Sequence, residues 1–344
     1  MTEIISGPCS AESEEQVLAT AGALSALAFP EGMRLCAFRA GLWKPRTRPG
    51  SFEGVGEAGI PWLKRVQEEL HLPVAVEVGT PAHLEAVLKA GLDMVWIGSR
   101  TVTNPFAVQE LADCLKGVDV PVFVKNPINP DVQLWMGALE RVRKAGVRSV
   151  SAIHRGFSFY EESRYRNAPK WQVPIELKRL MPDVPVYCDP SHICGCREYL
   201  GEVSQRALDL GFNGLFIESH IQPEAALSDA SQQVTPAQLK ELLDALTIKA
   251  STSSDAGILS QIDALRSQID RIDDELLDLL AARMQVSAQI GSCKKRGNVQ
   301  VLQQSRWDAV LSAALAGARQ RGLDERAVKD IFEAIHRASI EKQI

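Results

Sequence analysis

Residues 184–192 read VPVYCDPSH, an apolar run that ends in an aspartate, a proline, a serine and a histidine. Similar apolar runs recur over about the first 245 residues, and each is followed by polar, charged or cysteine side chains. Short β-branched runs bounded by turn residues predict strands. The eight candidates are EIIS (3–6), RLCAF (34–38), VAVEV (74–78), MVWIG (94–98), VFVKN (122–126), SVSAI (149–153), VPVYC (184–188) and GLFIE (214–218).

Most gaps between these runs carry a helical pattern, for example AHLEAVLKAG (82–91), which closes on a glycine where a helix C-cap belongs. Eight strands alternating with helices predict a (β/α)8 TIM barrel, with an open doubly wound sheet as the alternative. The polar segments favour the barrel, because they all lie at the C-terminal ends of the runs and a barrel gathers those ends on one rim. These segments are GPCS, KPRT, EVGT, GSRT, KNP, HRG, DPSH and ESH.

A second region begins near residue 248, where KASTSSDAG (249–257) is short, polar and typical of a linker. Beyond it lies a helical pattern too long for an ordinary globular helix, followed by two helices predicted at 304–320 and 324–342. Such a set makes a poor monomeric core, so we expect a homodimer or higher homo-oligomer. We expect a barrel over 1–247, a linker over 248–257 and an all-α domain over 258–344.

Composition excludes several classes of function. The 344 residues carry a net charge of −5, which argues against general nucleic-acid binding. We find no leader pattern and no apolar stretch that could span a membrane, so we expect a cytoplasmic protein without a membrane partner. The seven cysteines are scattered through both halves and predict reduced thiols.

The predicted rim is rich in metal-ligating side chains, namely Cys9, Asp189, His192, Glu218, His220 and Asp229. This mixed set suits a divalent ion such as Mn, Fe, Co or Zn. A structural zinc site at Cys194-Gly195-Cys196 is disfavoured, because C-x-C has no second pair. Cations also gather here and predict two phosphate sites. They are Arg39, Lys44, Arg46, Arg48, Arg100, Lys125, Arg155, Arg164 and Arg166.

The motifs GPCSAES (7–13), KPRTRPGSFEG (44–54), IGSRT (97–101), HRG (154–156), DPSH (189–192) and ESHIQPEAALSDASQQVTP (218–236) resemble those of type I 3-deoxy-D-arabino-heptulosonate 7-phosphate (DAHP) synthases. They come in family order, one per strand end. The resemblance implies metal-assisted condensation of phosphoenolpyruvate with erythrose 4-phosphate. The alternative is the related synthase of the eight-carbon sugar acid KDO, whose K-A-N-R-S loop differs from Lys44-Pro45-Arg46-Thr47 here.

The resemblance also implies a role for each matching residue. The implied metal ligands are Cys9, His192, Glu218 and Asp229. Arg100, Lys125 and Arg155 would hold the phosphate of phosphoenolpyruvate, Lys44 and Arg39 its carboxylate, and Arg46 and Thr47 the erythrose phosphate. Glu77 would orient or deprotonate the attacking water, and Lys44 would donate a proton. His154 departs from the acidic residue that many relatives carry before the arginine.

The C-terminal segment resembles the all-helical chorismate mutases through Arg266, Arg283, Lys294, Arg306, Ser339 and Gln343. Conversion of chorismate to prephenate needs only clamps on two carboxylates and a cation beside the ether oxygen. Arg266 and Arg283 lie ~25 Å apart along one helix, so a dimer partner would supply Arg266. Trp307 and Gln303 depart from acidic residues in many relatives. The alternative is a sensor or dimerisation domain without catalysis.

Together these resemblances imply a bifunctional shikimate-pathway enzyme. Relatives of the barrel often carry an N-terminal regulatory extension, whereas EIISGPCS starts the barrel almost at Met1. We therefore expect chorismate or prephenate, bound in the helical segment, to inhibit the barrel.

Overall fold

The computed structural model describes residues 1–45, 50–160, 163–250, 252 and 255–344. Arg46 and Thr47 lie outside the described residues. The chain divides into two compact units, Met1–Ser251 and Thr252–Ile344. The domain boundaries expected from the sequence, with a linker over 248–257, stay a prediction.

The first unit is a closed barrel of eight parallel strands whose spatial order is the order of the chain. The strands are β1 (Thr2–Gly7), β2 (Met33–Arg39), β3 (Val74–Val78), β4 (Met94–Ile97), β5 (Val122–Lys125), β6 (Val150–His154), β7 (Val186–Cys188) and β8 (Gly214–Glu218). Each overlaps one predicted run, so the TIM-barrel prediction is confirmed and the open-sheet alternative is wrong.

Ten α-helices surround the strands in the described part of this unit. They are α1 (Glu14–Ser25), α2 (Ile60–Leu70), α3 (Pro81–Ala90), α4 (Ser99–Val102), α5 (Pro105–Cys114), α6 (Val132–Lys144), α7 (Gln172–Leu180), α8 (Pro190–Cys194), α9 (Leu200–Asp209) and α10 (Pro236–Asp244). Local signals set their ends: Thr80 caps α3 by accepting a hydrogen bond from the His83 amide, and Gly91 ends it in the left-handed region. Short 3-10 turns occupy Gly56–Gly59 and Pro223–Ala225.

One layer of the barrel interior takes one residue from each strand. The eight side chains form a buried cluster of their own, separate from the larger core between strands and helices: Ile5, Ala37, Ala75, Trp96, Phe123, Ile153, Tyr187 and Phe216. Trp96 packs edge-on against Phe216, with ring centroids 5.2 Å apart. Because strand side chains alternate, residues that lie two positions later and still belong to a strand also point inward, one layer nearer the rim.

The second unit is all helical, as predicted, with α11 (Ala256–Arg296), α12 (Gln304–Gln320) and α13 (Glu325–Gln343). α13 crosses α11 closely at Gly291, where a Cβ would lie 2.6 Å from the Gln343 Cα. Much of α11 is exposed, including the apolar residues Leu265, Ile269, Ile272, Leu276, Leu277 and Leu279. None of the described helices combines the length and hydropathy needed to span a bilayer.

Candidate active sites

The inward layer nearest the rim of the barrel is polar. It carries Arg39, Glu77, Lys125 and Glu218, each two residues beyond a member of the interior cluster. Gly98, just after β4, makes room for one of them, since a Cβ there would lie 2.2 Å from Glu77 Oε1. Gly7 has a different role: a Cβ there would lie 2.1 Å from the backbone carbonyl oxygen of Arg39, so the glycine allows β1 and β2 to approach closely.

The four predicted metal ligands converge at this rim. One donor atom from each of Cys9, His192, Glu218 and Asp229 lies within 4.8 Å of all the others. Asp229 Oδ2 is 3.1 Å from Cys9 Sγ and 4.0 Å from His192 Nε2, which is 3.7 Å from Glu218 Oε1. The arrangement is a possible metal site.

Asp189 orients the histidine of this donor cluster. Its carboxylate caps α8 by accepting a hydrogen bond from the His192 amide, and it lies 2.8 Å from His192 Nδ1. It also pairs with Lys125 at 2.8 Å. Nε2 of His192 is thereby left facing the other donors. His220 lies elsewhere, with Nε2 3.7 Å from Glu12, and neither Cys194 nor Cys196 belongs to the cluster.

Lys44 reaches the donor cluster from the loop after β2. Its Nζ lies 2.7 Å from Cys9 Sγ and 3.9 Å from Asp229 Oδ2. Burial disfavours the charged ammonium, but the acidic groups around it, Cys9, Glu218, Glu77 and Asp229, outweigh this effect, so the pKa of Lys44 is raised. Burial raises the pKa of the Cys9 thiol to about 12, so at neutral pH the three carboxylates supply the negative charge. Lys44 therefore carries its proton at neutral pH.

A cavity of about 440 Å³ opens above the cluster. Its lining includes Lys44, Glu77, Arg100, Lys125, Arg155 and Arg166. Burial lowers the pKa of Arg155 to about 10, and its Nη1 donates to Asn167 Oδ1 at 2.7 Å. A guanidinium that burial has partly desolvated in this way is stabilised when an anion binds to it. The cavity suits a phosphorylated, acidic ligand.

Arg39 lies at the centre of the barrel and is only 1% exposed. Its Nη2 is 3.2 Å from Glu218 Oε1, and its guanidinium carbon lies 4.9 Å and 4.7 Å from the Trp96 and Phe216 ring centroids. Its Nε and Nη1 have no hydrogen-bond partner among the described residues. Arg39 is not among the residues lining the cavity, although the resemblance implies contact with substrate.

The helical unit has a cavity of about 300 Å³ between its three helices. Five of the predicted residues line it: Arg283, Lys294, Arg306, Ser339 and Gln343. Arg283 donates to the Ser339 hydroxyl, and Lys294 Nζ donates to Gln343 Oε1 at 3.0 Å and to the Val301 carbonyl at 2.6 Å. The close crossing at Gly291 places Gln343 beside Lys294.

One feature of this cavity was not evident from the sequence: Trp307 stacks on His336 with ring centroids 4.0 Å apart, and both rings line the cavity. Arg266 is not in the lining, as its distance from Arg283 along the helix predicts; it is exposed and pairs with Asp263 at 3.3 Å. Within one copy, the predicted pair of arginine clamps is therefore incomplete.

Comparison with protein families gives two matches. The model of the DAHP synthetase I family matches residues 2–253, and that of chorismate mutase type II matches residues 265–344. A phospho-2-dehydro-3-deoxyheptonate aldolase of Thermotoga maritima is 30% identical over 253 residues, covering 72% of this chain and 71% of that protein. A 2-dehydro-3-deoxyphosphooctonate aldolase of Cupriavidus taiwanensis is 28% identical, covering 71% and 87%.

Solved structures agree with the sequence matches. The crystal structure of a Thermotoga maritima DAHP synthase has a TM-score of 0.61 at 28% identity, covering 71% of this chain and 67% of that one. A truncated form of the Thermotoga maritima enzyme has a TM-score of 0.59 at 25% identity, covering 77% and 87%.

Proposed function

We propose that this chain, which belongs to the DAHP synthetase I family and carries a chorismate mutase type II domain over residues 265–344, performs one reaction in the barrel cavity and another in the helical cavity. The barrel condenses phosphoenolpyruvate with erythrose 4-phosphate, giving DAHP and phosphate. The helical unit rearranges chorismate to prephenate. The observation that carries the barrel assignment is the convergence of Cys9, His192, Glu218 and Asp229 beneath a cation-lined cavity.

The residues of the donor cluster fit a divalent metal. Bond lengths of 2.0–2.3 Å around one centre place neighbouring ligand atoms roughly 3–4 Å apart. Three of the donor separations, 3.1, 3.7 and 4.0 Å, fall in that range. Glu218 Oε1 is buried, and its neighbours are Arg39 Nη2 at 3.2 Å and His192 Nε2 at 3.7 Å, so it faces the donor cluster. A bound Mn, Fe, Co or Zn ion would polarise the aldehyde of erythrose 4-phosphate.

The cationic cavity supports a division of anion binding. Arg100, Lys125 and Arg155 hold the phosphate of phosphoenolpyruvate, and Lys44 holds its carboxylate. Arg39 supports the carboxylate from below through its unpartnered Nε and Nη1. For the second phosphate the proposal rests on Arg46 and Thr47, which lie outside the described residues.

The chemistry assigns two proton transfers to named side chains. Carbon 3 of phosphoenolpyruvate attacks the aldehyde carbon, and the charged Lys44 donates a proton to the aldehyde oxygen. Water then adds to carbon 2, with Glu77 orienting it and accepting its proton. Trp96 Nε1 holds Glu77 by donating to Oε2 at 3.0 Å. Arg100, Lys125 and Arg155 stabilise the phosphate as its bond to carbon 2 breaks.

Phosphate release tests metal dependence. The protein is treated with a chelator, and Mn, Fe, Co or Zn is added back singly with both substrates present. Activity should be lost and then restored by at least one ion. Failure of all four ions to restore it would refute the metal-dependent mechanism.

Substrate choice separates the two related activities. The family match and the Lys44-Pro45 loop favour erythrose 4-phosphate over the arabinose 5-phosphate used by KDO-type synthases. Phosphate release should be much faster with the four-carbon aldose. A preference for arabinose 5-phosphate would reverse the assignment.

In the helical unit, we propose that Arg283 clamps one chorismate carboxylate and Arg266 of a second copy clamps the other. Lys294 and Gln343 place hydrogen-bond donors beside the ether oxygen, and Arg306 holds the ring substituents. The exposed apolar stripe of α11 supports a homodimer that completes the site. The loss of chorismate absorbance, with Arg283→Ala as the inactive control, distinguishes this catalysis from a non-catalytic sensor.

Feedback is a second proposal, favoured by the fusion of the two units in one chain. Prephenate or chorismate bound in the helical cavity would lower the rate of the barrel. Addition of prephenate should slow phosphate release by the wild-type protein and not by the Arg283→Ala variant. An unchanged wild-type rate would exclude this regulation.

A further inference from the structure

Each carboxylate of the donor cluster has one oxygen that accepts a hydrogen bond from outside the cluster. Asp229 Oδ1 accepts from Arg166 Nη1 at 3.0 Å, while Oδ2 faces Cys9 and His192. Glu218 Oε2 accepts from Gln232 Nε2 at 2.7 Å, while Oε1 faces His192 and lies 3.2 Å from Arg39 Nη2. In both residues, one oxygen is engaged outside the cluster and the other is turned into it.

The Arg166 guanidinium is connected to both of the outward-facing oxygens. Arg166 Nη1 also donates to Gln232 Oε1 at 3.0 Å. An amide whose oxygen accepts from an arginine must present its NH2 group elsewhere, and here the NH2 group meets Glu218. Gln232 is fully buried, so its amide has little freedom to turn over. Arg166 thus reaches Asp229 directly and Glu218 through Gln232.

The backbone around Arg166 is held in place by hydrogen bonds and by close packing. The Arg166 amide donates to the Cys194 carbonyl at 3.2 Å, and the next amide donates to the Ile193 carbonyl at 3.1 Å. These bonds fix the Arg166 segment to α8, the helix that carries His192. At Gly195, with φ +70°, a Cβ would lie 2.6 Å from the Arg166 Cβ. The glycine between the two bystander cysteines therefore leaves space for Arg166.

We propose that Arg166, acting with Gln232, is a positioning residue that fixes Glu218 and Asp229 as single-oxygen ligands. The inference rests on the proposed metal site and goes beyond it, because it assigns the orientation of two ligands to one arginine. Hydrogen-bonded partners of metal ligands typically change affinity 10- to 100-fold when removed. The Coulomb effect has the opposite sign: loss of a positive charge would by itself strengthen binding of a cation.

The test is a Co(II) titration of the full-length, chelator-treated protein, in which absorption from thiolate-to-cobalt charge transfer reports binding. Arg166→Met should weaken binding by about 10- to 100-fold. Gln232→Met should weaken it without any change of charge. The double variant should be little worse than Arg166→Met, since both act on one chain of hydrogen bonds. Arg166→Lys should recover part of the loss.

Arg164→Met is the matched control, because Arg164 lies two residues away and pairs instead with Glu202. It should bind Co(II) as the wild type does. Tighter or unchanged binding by Arg166→Met, or an equal loss in Arg164→Met, would overturn the proposal. Cys9→Ala separates this failure from failure of the site itself: if it leaves the charge-transfer band intact, the metal site is wrong. The chorismate rearrangement of each variant checks the integrity of the preparation.

Discussion

The barrel and the helical unit assemble their sites in opposite ways. In the barrel, the ends of different strands converge on one rim, and Cys9, His192, Glu218 and Asp229 meet within a single copy. In the helical unit, Arg283 lines a cavity while Arg266, on the same helix, lies ~25 Å away along the axis. A closed sheet brings distant sequence together, whereas a helix separates its own residues. We therefore propose that a second copy completes the helical site.

The largest effect should come from Cys9→Ala, which breaks the barrel site and leaves the helical site untouched. Removal of one ligand forfeits several kcal/mol of transition-state stabilisation, so phosphate release should fall by ~10³-fold or more. The chorismate reaction of the same sample should be unchanged, and both rates can be read from one preparation.

Cys194→Ser is the control for that variant. Cys194 is buried and lies two residues after His192 in the sequence, but it contributes no donor atom to the cluster. Its phosphate release should stay near the wild-type rate, as should those of Cys188→Ala and Cys196→Ser. A large loss of activity in the Cys194 or Cys196 variant would favour a metal site at Cys194-Gly195-Cys196 instead.

Arg283→Ala removes a residue of the helical site and leaves the barrel site intact, the reverse of Cys9→Ala. Loss of one preorganised cation should lower the rate of chorismate rearrangement by about 10²- to 10³-fold. Phosphate release without prephenate should not change, because Arg283 belongs to the helical unit. Retention of most mutase activity would show that the cavity of about 300 Å³ is not the reaction site.

Mixing two inactive variants tests whether the helical site is shared. Arg266→Ala and Arg283→Ala should each be nearly inactive alone. If partners exchange freely, half of the dimers are mixed and each has one intact site, so about a quarter of the wild-type activity should return. No recovery after verified subunit exchange would mean that Arg266 of a second copy does not complete the site, and it would remove the contrast with the barrel.

Much of the barrel site follows from the alternation of side chains along a strand. Phe123 and Phe216 belong to the interior, so Lys125 and Glu218, two residues later, must point inward at the rim. The sequence cannot give the positions of Lys44, Arg166 and Gln232. They lie on loops, whose path depends on tertiary contacts such as the packing of Arg166 against Gly195.

Helical spacing explains only part of the second site. Arg283 and Lys294 are eleven residues apart, about three turns, so they share one face of α11. The same rule shows that Arg266 is too far away, but it cannot say which molecule supplies the missing arginine. The stacking of Trp307 on His336 joins different helices and depends on how α12 and α13 pack.

The smallest predicted effect is a pH-dependent loss of stability that should occur in the barrel and not in the helical unit. His154 is buried among Trp135, Phe157, Trp171 and Phe212. Burial lowers the pKa of His154 to about 3, so the folded barrel keeps it neutral while the unfolded chain binds a proton near pH 6.5. The contribution of neutral His154 to the stability of the barrel is complete above about pH 6.5 and is lost as the pH falls towards 3.

Between pH 7.5 and 5.5 the barrel should lose about 1.4 kcal/mol through His154 alone. The measurement is urea unfolding followed by tryptophan fluorescence at both pH values, for the wild type and for His154→Leu. The variant has no imidazole to protonate, so its pH-dependent loss should be smaller by that amount, whatever its absolute stability. The transition of the helical unit, followed by loss of mutase activity, should respond equally in both proteins. An identical pH response of the two barrels would mean that the aromatic cage opens to water and does not hold His154 neutral.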